Sequence, residues 1–218
     1  MADLSRSPVE PSNGYACSTV GTPGAFPILD SKGVDVQQAV EGAPDEHWVW
    51  QGKGTAPILS KAGYLFLTTG QYMSATRLTA LATTEAYVGR GWRPVTGSTP
   101  QQAQALAVFI NSTAGRLLLM RLGGRFLHFP NYNTAAVNAL PMPDISNPSL
   151  VEVLADCWQA TRQEIVPQFR DGYTEVRRRW DAAVCTALGW SMDEITELGE
   201  LLAREPRVRG VAYGQWKE

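Results

Sequence analysis

The sequence predicts an α+β fold: a β-rich core with a flanking helix, followed by a helical carboxy-terminal tail. Three observations carry this. Between residues 47 and 96, short runs rich in aromatic and branched side chains (HWVWQ, APILS, YLFLTT, TRLTALAT, AYVGRGWRPV) are separated by Gly-Lys-Gly, Lys-Ala-Gly and Thr-Thr-Glu. Such runs with turn-like spacers read as a β-meander. Next comes Thr99-Pro100-Gln101-Gln102, with a capping threonine, proline at the first helical position and glutamine to close a capping box. Beyond residue 144 the pattern is helical throughout.

The elements follow in order. Residues 1–46 are rich in Ser, Gly and acids, and Pro8, Pro11, Pro23, Pro27 and Pro44 interrupt any period, so an extended amino-terminal arm is expected. Several runs of the meander are apolar on both faces, which predicts strands buried between a helix layer and a second sheet layer. The helix from Thr99 places Leu106, Phe109, Ile110, Thr113, Leu117 and Met120 on one stripe and is expected to stop at Gly123-Gly124. Residues 125–129 read as a further strand. A Pro130-Asn131-Tyr132-Asn133 loop and a short helix capped by Asn133 or Thr134 come after it, and Pro141 and Pro143 close the unit. In the tail, Ser149 with Glu152 and Ser191 with Glu194 are capping boxes, and Gly172 and Gly189 mark breaks. Helices over 149–169, 174–188 and 191–204 are expected to form a compact cap. The domain reading is therefore an arm over 1–46, a core over 47–144 and a tail over 145–218.

A chain of 218 residues with 44% hydrophobic content can bury an ordinary core. Cys17, Cys157 and Cys185 are odd in number and scattered, and His47 and His128 stand apart, so neither a disulfide framework nor a metal site is expected. The expected setting is a reducing cytoplasm, with no membrane partner. Net charge is −2, but its distribution is uneven. Residues 1–50 hold 2 basic and 7 acidic side chains, residues 51–140 hold 8 and 1, and residues 141–218 hold 9 and 13. In the middle block Lys53, Lys61, Arg77, Arg90, Arg93, Arg116, Arg121 and Arg125 face only Glu85. That is the distribution of a phosphate-binding surface, and equally of a solvated face.

The chemistry of catalysis is missing. An exocyclic-amine methyltransferase needs an Asn/Asp-Pro-Pro-aromatic segment and a Gly-rich turn for its methyl donor; the Asn-Pro here, Asn147-Pro148, runs into Ser149 and reads as a helix start. Asp30-Ser31-Lys32 matches half of a metal-dependent nuclease motif without the preceding Pro-Asp, and reads as an exposed turn. No nucleophile, base and orienting group can be assembled from two isolated histidines. A non-catalytic chain without cofactor is expected.

Residues 105–144, ALAVFINSTAGRLLLMRLGGRFLHFPNYNTAAVNALPMPD, combine a helix, a Gly-Gly turn, an Asn-rich segment and a Leu-Pro-x-Pro exit. This order resembles the closing segment of DNA target-recognition domains in the specificity subunits of type I restriction-modification systems. It is closer still to the carboxy-terminal recognition regions of large bacterial DNA adenine methyltransferases. In that resemblance Phe109-Ile110-Asn111-Ser112-Thr113 corresponds to the family's Asn-Ser helix, and Asn138-Ala139-Leu140-Pro141-Met142-Pro143 to its terminal signature. The likeness runs from about His47 to Gly210. It implies a target-recognition-domain-like core that reads double-stranded DNA as the specificity component of a restriction-modification or phage-defence system, with a methyltransferase or restriction subunit as partner. The alternative is an assembly subunit of a defence complex that keeps the fold without binding DNA.

The expected DNA contacts are Lys53, Lys61, Gln71, Tyr72, Arg77, Arg90, Arg93, Gly124, Arg125, Asn131 and Asn133. Lys and Arg neutralise phosphates, whereas Asn, Gln and Arg read base edges through paired hydrogen bonds. For each an ordinary role stands beside this one: a polar loop at Gln71 and Tyr72, Trp92 in the core between Arg90 and Arg93, a plain helix stop at Gly124. Asn111, Ser112 and Thr113 lie inside a helix and are expected to fix it to its surroundings. Arg177-Arg178-Arg179 reads as a solvated helix face.

Overall fold

A computed structural model describes residues 9–30, 37–68, 77–122, 124–126, 129–131 and 134–205. A six-stranded mixed sheet is covered on one face by helices, which is the α+β class with carboxy-terminal helices that the sequence predicts. The strands are β1 (Tyr15–Ser18), β2 (Ala25–Leu29), β3 (Glu46–Trp50), β4 (Gly63–Thr68), β5 (Ala80–Gly89) and β6 (Trp92–Val95), in the order β1-β3-β2-β5-β4-β6. Two antiparallel triplets meet at a short parallel seam, where Ile28 pairs with Val88 and Leu29 with Gly89. The helices are α1 (Pro100–Asn111), α2 (Thr113–Leu122), α3 (Thr134–Asn138), α4 (Pro148–Thr161), α5 (Glu175–Leu188) and α6 (Met192–Arg204). Between α2 and α3 a separate hairpin pairs β7 (Gly124–Phe126) with β8 (Phe129–Asn131).

Two expectations about the amino-terminal half are corrected. The described residues of the expected 1–46 arm are not extended away from the core: β1 and β2 lie within the sheet, both paired to β3. Nor do residues 47–96 form a meander, since β2 enters between β3 and β5 and β4 lies between β5 and β6. Successive strand residues point to opposite faces. Ile28 accordingly joins Tyr15, Phe26, Trp48, Ile58 and Val88 in a small core on one face. Its neighbour Leu29 faces the main core with Phe66, Leu81, Phe109, Trp158 and Trp180.

The start of α1 is as its sequence dictates. Thr99 accepts from the Gln102 N–H, Gln102 reaches back to the Thr99 N–H, and Pro100 sits at the first position. The single helix expected to run to Gly123 is instead broken, with α1 and α2 meeting at a 72° bend. Ser112 makes the break with an extended backbone (φ −66°, ψ 165°). Its hydroxyl donates to the Phe109 carbonyl at 2.6 Å and accepts the Gly115 N–H at 3.2 Å, so it closes one helix and opens the next. A Cβ on Gly115 would lie 2.2 Å from the Phe109 oxygen, so the bend needs glycine there. From Ala103 to Asn111 every residue of α1 is buried, rather than one stripe. A helix apolar all round belongs between two layers; here these are the sheet and the pair α4 and α5.

The tail is likewise not a separate cap. Leu150, Leu154 and Trp158 of α4 and Val176, Trp180 and Val184 of α5 belong to the same core as the sheet. Trp158 Nε1 donates to the Val40 carbonyl at 3.4 Å, and Trp180 Nε1 to Thr161 Oγ1 at 2.9 Å. The cap of α4 is Asn147, whose side chain accepts from the N–H groups of Ser149 and Leu150, in place of the expected Ser149 box. Ser191 does cap α6, accepting from the Glu194 N–H. The first tail helix ends at Thr161, short of residue 169, where a brief 3-10 turn stands. No single helix among the described residues is long and apolar enough to cross a membrane.

Candidate nucleic-acid interface

The basic block is divided by the fold into committed and exposed side chains. Arg90 is committed. It lies at the tight β5–β6 turn, where its N–H donates to the Leu29 carbonyl and Gly91 passes so close to the Asp30 carbonyl that a Cβ would stand 1.7 Å away. Its guanidinium donates to Asp30 Oδ2 at 3.0 Å and to Glu10 Oε2 at 3.2 Å, and it stacks over Trp48 at 4.9 Å. Burial opposes the Arg90 charge, yet hydrogen bonding and attraction from Glu10 and Asp30 outweigh it and hold its pKa above the ordinary arginine value. Asp30 is buried, with its side chain 5% exposed, so the exposed turn expected for Asp30-Ser31-Lys32 is not found at its first residue. The other two residues of that motif lie outside the described segments.

Arg93, on β6 opposite Leu67, donates through Nη1 to the Arg90 carbonyl, and Trp92 between the two arginines is buried. Arg77 donates through Nη1 to the Val166 carbonyl at 2.9 Å, which ties the entry to β5 to the segment after α4. Arg116 is 4% exposed and stacks on Phe169. The expectation that Arg77, Arg90 and Arg93 contact DNA therefore meets side chains that are already bound within the fold.

Lys53 and Lys61 are exposed, on the connection from β3 to β4. Arg121 is exposed in the last turn of α2. Immediately beyond it comes the β7–β8 hairpin, which holds Gly124, Arg125 and Asn131 of the expected set, with Gly124 opposite Asn131 and Arg125 opposite Pro130. Gln71, Tyr72 and Asn133 lie outside the described residues, as does His128.

Asn111 takes the structural role expected of it. Its Oδ1 accepts the N–H groups of Thr79 and Ala80 at 2.7 and 3.3 Å, and its Nδ2 donates to the carbonyls of Ala80 and Ala107, both at 2.8 Å. One side-chain amide thus fastens α1 to the first residues of β5. Thr113 is held by Asp181 of α5, which also accepts the Tyr173 hydroxyl at 2.6 Å.

Sequence reasoning misses the cluster around this carboxylate. Arg177 is buried rather than solvated: Nη2 donates to the carbonyls of Arg77 and Pro167, and the guanidinium lies 3.9 Å from the Phe169 ring centre. Arg178 stacks over Tyr173, and Arg179 pairs with Glu164. A spacing signal existed, since Arg177 stands with Trp180, Asp181 and Val184 on one face of α5. Among the described residues no three His, Cys, Asp or Glu side chains converge as metal ligands.

No family model matches the chain, and neither a curated protein nor a solved structure matches it.

Proposed function

We propose that the chain is a non-catalytic DNA-recognition module, the specificity component of a bacterial restriction-modification or phage-defence methyltransferase system. The observation that carries this reading is the β7–β8 hairpin, a two-stranded ribbon outside the main sheet, entered directly from the exposed Arg121 and bearing Arg125 and Asn131. The major groove of DNA admits a two-stranded ribbon, and arginine and asparagine are the side chains that pair bidentately with guanine and adenine there. The resemblance of residues 105–144 to target-recognition domains points the same way. Lys53 and Lys61 supply exposed charge for phosphate, and the catalytic step belongs to a partner chain.

Duplex binding measured against salt tests this. Each phosphate contact contributes roughly 0.9 to the slope of log affinity on log salt. The expected result is salt-dependent binding in which Arg121→Ala with Arg125→Ala weakens affinity and flattens the slope by about one to two. Salt-independent or absent duplex binding by the folded chain overturns the proposal.

A second reading, a defence-complex assembly subunit without DNA binding, is favoured by a different feature. Trp190, Leu198 and Leu201, in and just before α6, are 45%, 40% and 54% exposed. Co-purification with a methyltransferase or restriction subunit that is lost on Leu201→Glu, in a chain that does not bind duplex, selects that reading.

A further inference from the structure

An open groove of about 300 Å³ lies between the start of α5, the end of α6 and the turn at Phe169–Asp171. It is lined by Arg170, Asp171, Tyr173, Arg178, Glu200 and Arg204. The three arginines are held weakly. Arg178 stacks over the Tyr173 ring at 4.4 Å, and it shares the single carboxylate of Glu200 with Arg204, at 3.6 and 3.5 Å. Both pairs are open to water, the Arg204 side chain being 70% exposed, and such pairs contribute about 0–1 kcal/mol. Arg170 is exposed and pairs with no carboxylate among the described residues. Asp171 is turned back on its own segment, where Oδ2 accepts the Gln168 N–H at 2.9 Å. These guanidinium groups can turn to a phosphate at little cost.

The packing of α6 brings the groove to the foot of the β7–β8 hairpin. A Cβ on Gly199 would stand 3.1 Å from the Thr113 hydroxyl at the start of α2, and Leu202, further along, packs with Phe169, Leu117 and Met120. The two helices therefore run in the same sense. α6 begins with Asp193 and Glu194 and carries Arg204 in its last turn, so its basic end lies beside the end of α2 from which the chain enters β7. Arg121, exposed in that last turn of α2, follows Met120, and Arg170 follows Phe169. Arg121, Arg170 and Arg204 thus ring one small apolar contact. A ribbon seated in the major groove, about 12 Å wide, has a phosphate strand on either side, and a basic surface at the foot of the ribbon meets one of them.

We propose that the groove lined by Arg170, Arg178 and Arg204 is a second DNA contact, a sequence-independent clamp on the phosphodiester backbone that flanks the hairpin. The inference rests on the DNA reading above. The test is binding of the full chain to a duplex of random sequence across a range of salt. Arg170→Gln combined with Arg204→Gln is expected to flatten the slope of log affinity on log salt by about two, at roughly 0.9 per phosphate contact. The affinity lost between about 50 and 200 mM salt then becomes roughly tenfold smaller than in the unaltered chain. Lysine at both positions should restore the slope, because counterion release depends on charge. A folded glutamine pair with an unaltered slope, while Arg121→Ala still flattens it, overturns the clamp and leaves the hairpin reading standing. A slope that lysine does not restore overturns it as well. Absence of duplex binding by the unaltered chain overturns both readings together.

Discussion

The carboxylate of Asp181 accepts both the backbone N–H of Thr113, at 2.7 Å, and its hydroxyl, at 2.6 Å, so that one buried side chain of α5 caps the start of α2. Burial, opposed by these bonds, leaves its pKa above the ordinary carboxylate value. Both facts bear on stability.

Asp181→Ala is expected to cost about 3–5 kcal/mol in urea unfolding, because the Thr113 N–H and hydroxyl and the Tyr173 hydroxyl all lose their acceptor in a dry site. Asp181→Asn keeps one acceptor oxygen and should cost less. The pH dependence has a definite sign: a carboxyl with a raised folded pKa favours the folded state most below the unfolded pKa. The advantage of the native protein over Asp181→Asn should therefore decline as pH rises through the folded value. A growing advantage would contradict the burial of this group.

Arg90 and its two partners should respond unequally. Arg90→Met takes an ion-pair partner from Asp30, whose side chain is 5% exposed, and is expected to cost about 2–4 kcal/mol. Glu10→Gln should cost less than about 1 kcal/mol, since Glu10 is 42% exposed and its attraction is screened by water. Chemical denaturation of both variants checks the difference, and equal effects would refute it.

The three thiols should react in a fixed order. Cys17 is exposed, whereas burial first of all pushes the Cys157 thiol up to about 11. At pH 8 only about one Cys157 in a thousand is then thiolate, the reactive form. Burial also raises Cys185. A chromogenic disulfide at pH 8 should label one thiol per chain quickly and the other two only as the protein unfolds. Rapid labelling of Cys157 in the folded chain would show the α4–α5 packing to be wrong.

What was legible in the sequence is what neighbouring residues decide among themselves. The Thr99 capping box, the Ser191 cap and the breaks at Gly172 and Gly189 needed no knowledge of the rest of the chain. The second strand was hidden because Pro27 lies within it, and proline argues against a central strand. It is tolerated because β2 meets β5 only at Ile28 and Leu29, so the missing N–H at residue 27 is not required on that side. The break at Ser112 was hidden for the opposite reason: the apolar spacing runs on through α2, and the Asp181 carboxylate that caps the new start at Thr113 lies 68 residues away. The candidate site was legible as a basic block but not as a surface. Arg90 lies 60 residues from Asp30 and 80 from Glu10, and no local pattern marks which arginine will find a carboxylate.

The parallel seam between β2 and β5 has a consequence for how the molecule opens. Only two residue pairs register across it, and each antiparallel triplet keeps its own apolar cluster, apart from Leu29 and Val88, which cross over. Cooperative units in native proteins often coincide with such motifs and open at different free energies. The amides of β1 and β3 should therefore exchange with solvent deuterium as one group and those of β4 and β5 as another. The boundary between the two groups falls where Arg90 bridges Asp30 and the Leu29 carbonyl, which makes that arginine a latch between two separately exchanging halves of one sheet.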